Sequence, residues 1–287
     1  MFMDAFFKRI LCFIFLTMAG LRVMFSQQIT ITDFKIHGVD KNYQATLSSY
    51  LKKKQPIFLD SLDIKNDLLR LKRLPAISHV SFRVEMQSSQ TCILHYNVVR
   101  QHTLIPVVNL WRVVKNRLAY KLGGYEYNFL QKNMTLGLEY TYNGYSSYGL
   151  YFRAPFVFSN SFGIAFNVSD ITSEEPLYFN SSSANYTYRN KSVEVGLLFE
   201  NKTRHYFSMG ANFFKEHYQY LSGATDASIP LELKINKYLA KFNYKYDAIT
   251  FFYHLLDGFK NEFTIQYVDS PQMKDDTFWM VLNEFFI

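Results

Sequence analysis

From Leu104 onward the chain repeats one pattern, segments of about ten residues in which apolar and polar side chains alternate, dense in Tyr and Phe. In 134–142, Met134, Leu136, Leu138, Tyr140 and Tyr142 fall on one side; Thr135, Gly137, Glu139 and Thr141 fall on the other. Strand side chains point alternately to opposite faces, so this segment is a strand with one apolar and one polar face. The alternation recurs at 148–152, 162–169, 192–200, 207–213, 238–246 and 263–267. Small residues (Gly137, Gly163, Gly196, Gly210) sit on the polar side, where a narrow lumen needs room, and Tyr gathers near strand ends. The pattern predicts an all-β antiparallel transmembrane barrel of about 10–12 strands. The competing architecture is an exported soluble β-sandwich, whose strands usually run about five or six residues.

Composition agrees with a barrel. The chain has 287 residues and is 48% hydrophobic and 18% aromatic, with 22 Tyr, 28 Phe and only 2 Trp. Mean hydropathy is nevertheless only −0.11, as expected when hydrophobicity is confined to alternate positions. A helical membrane protein needs apolar runs of about 20 residues, and none follows the N-terminus.

The first segment carries Lys8 and Arg9, an apolar core over 10–21, and Arg22 too soon after it for a spanning helix. It reads as a secretory signal over 1–26, cut after Ser26. Of the 2 cysteines, only Cys92 stays in the mature chain, so no internal disulfide is available. The net charge of +7 comes from scattered Lys and Arg. The one basic run, Lys52-Lys53-Lys54, ends an expected helix, so no nucleic-acid partner is expected.

Residues 27–101 form a different region: a strand at 29–36, a turn at Gly38 and a helix over 42–53 with Leu47, Tyr50 and Leu51 spaced three and four apart. A second helix is capped by Asp60 or Ser61, faces Leu62, Leu68, Leu69, Leu71 and Leu74 inward, and stops at Pro75. Strands at 77–86 and 92–99 follow. The order βααββ predicts an α+β module with two helices on one sheet face. Residues 102–287 are assigned to the barrel, ending in a strand at 277–286, with Asn143-Gly144 as a two-residue hairpin.

No catalytic, metal or cofactor constellation stands out. The 7 His are dispersed without zinc-site spacing; His79 and His95 could approach one another across paired strands, but read as ordinary sheet positions. Glu139, Glu194 and Glu200 face the expected lumen as solvated charges. No Gly-X-Ser-X-Gly or phosphate-binding loop occurs, so no enzyme is expected. Asn-X-Ser/Thr triplets begin at Asn133, Asn167, Asn180, Asn185, Asn190 and Asn201; several fall within strands, as chance occurrences do.

Phe34-Lys35-Ile36-His37-Gly38 and the 71–80 segment Leu-Lys-Arg-Leu-Pro-Ala-Ile-Ser-His-Val resemble a POTRA domain. With Gly123-Gly124-Tyr125-Glu126-Tyr127-Asn128-Phe129 and the Ala154-Pro155 strand end, the chain resembles the BamA/TamA-type outer-membrane assembly family. The resemblance implies a periplasmic module before the barrel and a role in inserting or exporting other outer-membrane proteins. It also implies outer-membrane lipid, unfolded outer-membrane proteins and periplasmic or lipoprotein partners as its contacts. That family's barrel usually has sixteen strands and a lumenal Arg-Gly-Phe or Arg-Gly-Tyr; here no Arg precedes Gly. A docking edge is expected at Val80, Phe82 and Val84, and a barrel seam at Val107, Val108, Trp279 and Val281. Alternatives are a passive pore, a structural outer-membrane protein, or an assembly paralogue that inserts nothing.

Overall fold

The computed structural model describes residues 29–51, 57–113, 117–178, 182–201, 204–223, 229–252, 255–272 and 277–286. The signal segment 1–26 and the Lys52-Lys53-Lys54 run lie outside the described residues.

The N-terminal region folds as β1 (Thr30–His37), α1 (Lys41–Leu51), β2 (Ile57–Phe58), α2 (Ser61–Lys72), β3 (Ile77–Met86) and β4 (Thr91–Arg100). Gly38 turns β1 into α1 at φ +85°, where a Cβ would run into the Val98 carbonyl, so no other residue fits. Asp40 Oδ1 accepts the Tyr43 N–H at 3.0 Å, and Asp60 Oδ1 accepts the Leu62 N–H at 2.9 Å. Each satisfies one of the unpaired donors at a helix start. From α1, Tyr43, Leu47, Tyr50 and Leu51 are buried, the spacing read from sequence. From α2 the buried set is Ile64, Asp67 and Leu71. Leu62, expected to face inward, is 62% exposed in the first turn, because Ile64 sets the three-four spacing instead. The helix ends at Lys72, where the Arg73 N–H reaches back to the Leu69 carbonyl, before Pro75.

These helices cover one face of a four-stranded sheet in the order β2-β1-β4-β3, with β1 and β4 parallel. Cys92, Leu94, Tyr96 and Val98 of β4 pack into the helical core with Ile77 and Val80. The Tyr96 hydroxyl donates to Asp67 Oδ2 at 2.8 Å, which pairs the one buried carboxylate of α2.

The second sheet has ten strands, all antiparallel to their neighbours and almost all in chain order. They are β5 (Leu104–Val113), β6 (Arg117–Phe129), β7 (Met134–Tyr142), β8 (Ser146–Ala154), β9 (Phe162–Tyr178), β10 (Ser183–Asn201), β11 (His205–Gly223), β12 (Glu232–Asp247), β15 (Lys260–Asp269) and β16 (Phe278–Phe286). The short hairpin β13 (Thr250–Phe252) and β14 (Leu255–Asp257) lies between β12 and β15. The strand number agrees with the sequence expectation.

The ladder carries each face from strand to strand. Phe162, Ile164, Phe166 and Val168 lie on the face of Phe199, Leu197, Val195 and Val193, then of Phe207, Met209, Ala211 and Phe213. Past that band the same face turns charged. Asp170 pairs with Arg189 at 2.6 Å, and Lys191 and Lys215 follow. The apolar band thus covers about eight residues per strand, roughly 27 Å of extended chain. The remaining half of β9–β12 projects beyond it, so these strands run to 17, 19, 19 and 16 residues rather than about ten.

Two expectations need correction. The sheet is not closed: its order begins at β16 and ends at β5, and among the described residues these strands pair with no further neighbour. Face alternation fixes which side is apolar, whereas closure depends on tilt and stagger accumulated over all strands. The Asn143-Gly144 hairpin has a three-residue loop, since Tyr142 pairs with Ser146. Asn143 Oδ1 accepts the Tyr145 N–H at 3.2 Å, and Gly144 takes the left-handed position at φ +104°.

Candidate functional site

Three features of this fold are able to act on another chain: the polar face of the large sheet, the joint between the two sheets, and the unpaired strand edges.

The polar face lines a cavity of about 340 Å³ over β6–β9, bounded by Lys121, Tyr125, Glu139, Tyr151 and Asn167. Gly137 makes the space for the Tyr125 ring, which occupies the position where a Cβ would stand. The Tyr125 hydroxyl donates to Glu139 Oε1 at 2.7 Å, and Lys121 Nζ meets Glu139 Oε2 at 2.6 Å. A second ion pair, Lys241 with Glu194, lies farther round on the same face. Glu139 and Glu194 thus stand where sequence placed them, but each is paired with a lysine, Lys121 from the adjacent β6 and Lys241 from β12, one strand beyond β11. No three His, Cys, Asp or Glu side chains among the described residues converge as metal ligands. No described helix is long and apolar enough to cross a membrane, which says nothing of strands.

The joint was not read from sequence. The helical side of the module rests on the turns at one end of the large sheet. The Tyr43 hydroxyl donates to Asn133 Oδ1 at 2.6 Å, in a turn where Leu130, Gln131 and Asn133 all have positive φ. Asn160 Nδ2 donates to the Ser49 and Tyr50 carbonyls at the end of α1, and Phe156 packs on Tyr50 at 4.7 Å. Arg73 donates to the Tyr206 hydroxyl and the Asp247 carbonyl, both at 2.8 Å. Desolvation holds the Tyr43 and Tyr50 hydroxyls above the usual phenol range, so both stay protonated and Tyr43 can donate to Asn133.

At the module's free edge, β3 bonds only to β4. Val80 is buried and Val84 half-buried under the helices, while Phe82 is 44% exposed. On the other sheet face His37 Nε2 and His95 Nδ1 meet at 2.9 Å, with Glu85 Oε2 2.9 Å from His95 Nε2. His79 stands opposite Val99, four positions along β4 from His95, whose cross-strand partner on β3 is Arg83, so the two histidines do not meet. Cys92 is buried and its thiol is pushed up by desolvation, so it is a core residue and not a reactive one.

Val107 and Val108 lie on opposite faces of β5, while Trp279 and Val281 lie on the apolar face of β16. The structure places them on the two outer edges of the sheet and does not bring them together.

No family model matches the sequence, and no curated protein matches it. Solved structures do match. BamA from Haemophilus ducreyi lacking POTRA domains 1-3 is 14% identical at a TM-score of 0.59, over 90% of this chain and 51% of that one. CdiB from Acinetobacter baumannii is 12% identical at 0.51, over 90% and 48%. CdiB from Escherichia coli is 9% identical at 0.55, over 90% and 51%. The fold is therefore that of the BamA and CdiB barrels, and the chain spans about half the length of the structures it matches.

Proposed function

We propose that this chain is an outer-membrane protein of a Gram-negative bacterium that takes part in assembling, inserting or translocating other outer-membrane proteins. Residues 27–101 act as a POTRA-like module in the periplasm, and the signal segment 1–26 directs export. The apolar band of the large sheet faces lipid.

The observation that carries this reading is the free edge of β3 in a chain with the fold of the BamA and CdiB barrels. An exported but unfolded strand has backbone donors and acceptors in need of partners. A free edge supplies them by strand addition, while exposed Phe82 offers apolar contact beside the ladder. A seam between the β5 and β16 edges, when it opens, would provide the same chemistry within the membrane. Such work exchanges backbone hydrogen bonds, so it requires no catalytic residue, metal or cofactor.

Proline scanning of β3 tests the docking role. The N–H groups of Ser81 and Phe82 point in opposite directions within the sheet plane, one toward β4 and one outward. At the outward position, proline should remove crosslinking to unfolded outer-membrane proteins and leave the gel shift of the heated barrel intact. Undiminished crosslinking with proline at either position would refute docking at β3.

A passive pore is the second reading, favoured by the charged cavity around Lys121 and Glu139. Single-channel recording separates the two: a steady open conductance supports the pore.

A further inference from the structure

The two edge strands of the large sheet break the alternation that the inner strands keep. Residues paired across a ladder share a face, so the polar face can be followed outward from Lys121 to Asn109 and from Gln266 to Met280. On β5 that face carries Ile105, Val107, Trp111 and Val113, interrupted by Asn109 alone. On β16 it carries Phe278, Met280, Leu282 and Phe286, interrupted by Glu284 alone. The opposite faces are mostly apolar too, with Val108 and Leu110 on one strand, Trp279 and Val281 on the other.

A water-filled gap would wet apolar side chains on both faces of both edges. A gap filled with hydrocarbon would strand the backbone donors and acceptors of the edges. Each edge therefore calls for a strand that is apolar on both faces and carries one polar residue on the lumenal side. β5 and β16 meet that description for each other. With Asn109 opposite Glu284 in an antiparallel ladder, Trp111 faces Leu282, Val113 faces Met280, and Val107 faces Phe286.

Among the described residues of one chain these edges are unpaired. The sheet has ten strands, an even number, so β5 and β16 run in opposite directions. β16 of one copy can then add antiparallel to β5 of another with both modules on the same side. A two-fold axis along the cylinder repeats the contact and closes the ring. We propose that a second copy of this chain fills the gap, through two identical β16–β5 seams. This rests on the membrane-barrel reading above.

The test co-expresses two differently tagged copies, one with Asn109→Cys and the other with Glu284→Cys, both with Cys92→Ser. Oxidation should yield a disulfide-linked product carrying both tags at twice the mass of one chain. Unmodified protein in detergent should show the same doubled mass by light scattering. A chain bearing both cysteines that closes on itself at the mass of one chain overturns the proposal. So does a membrane-bound monomer, or a dimer without the crosslink, and neither result touches the barrel reading. Protein that stays dissolved without detergent defeats the barrel reading as well.

Discussion

The Tyr43 hydroxyl lies 2.6 Å from Asn133 Oδ1, joining the first helix of the module to a turn of the large sheet ninety positions away in sequence. Asn133 is itself held in place, since its N–H donates to Asn128 Oδ1 at 2.9 Å. Both Tyr43 and Asn133 are buried, so the bond is shielded from water.

Removing that hydroxyl keeps the ring but leaves the buried Asn133 acceptor without this donor. Tyr43→Phe should destabilise the joint by about 1–3 kcal/mol. Limited proteolysis should then cut the module from the sheet sooner than in the unaltered protein. An unchanged cleavage rate would mean that the joint is held elsewhere, by Arg73 or Asn160.

The Tyr125 ring fills the space above Gly137 on the polar face. Gly137→Ala should displace that ring and loosen its hydrogen bond to Glu139, at a cost of about 1–3 kcal/mol. The temperature at which the folded sheet loses its compact form on a gel should fall. Pairing Gly137→Ala with Tyr125→Ala should recover part of the loss, because the clash is between those two groups.

Asp40 gives the module a pH dependence. The Tyr43 N–H bonded to its carboxylate, with Arg100 beside it, holds the Asp40 carboxyl below the usual range. A carboxyl depressed by folding adds stability above its unfolded pKa, and that contribution fades as pH falls through the folded value. Asp40→Ala should therefore lower the unfolding midpoint near neutral pH, and the difference from the unaltered protein should shrink below about pH 4. A difference that stays constant into acid would show that the carboxylate charge is not what stabilises the helix start.

Much of this fold was legible because strands advertise their faces. The alternation in 134–142 placed Glu139 and Gly137 on the polar side, where the ladder puts them. The module's elements were read from Leu47, Tyr50, Asp60 and the 77–86 strand. What escaped depends on contacts that no local pattern encodes. Nothing around Arg73 or Asn160 signals partners in the other sheet. His95 meets His37 and not His79 because β1 and β4 are parallel neighbours, a matter of topology. The seam strands 104–113 and 277–286 were legible as the sheet's two ends, whereas the gap between them depends on tilt and stagger summed over all strands.

The orientation of the apolar face can be read from tryptophan emission, since the chain has only 2 Trp. Trp279 lies on the apolar face at 68% exposure. With Trp111→Phe it becomes the only emitter. Reconstituted into vesicles whose acyl chains carry bromine, Trp279 should be strongly quenched, and iodide added to the water should have little effect. Quenching by iodide without quenching by the brominated chains would put that face in water and contradict the membrane barrel.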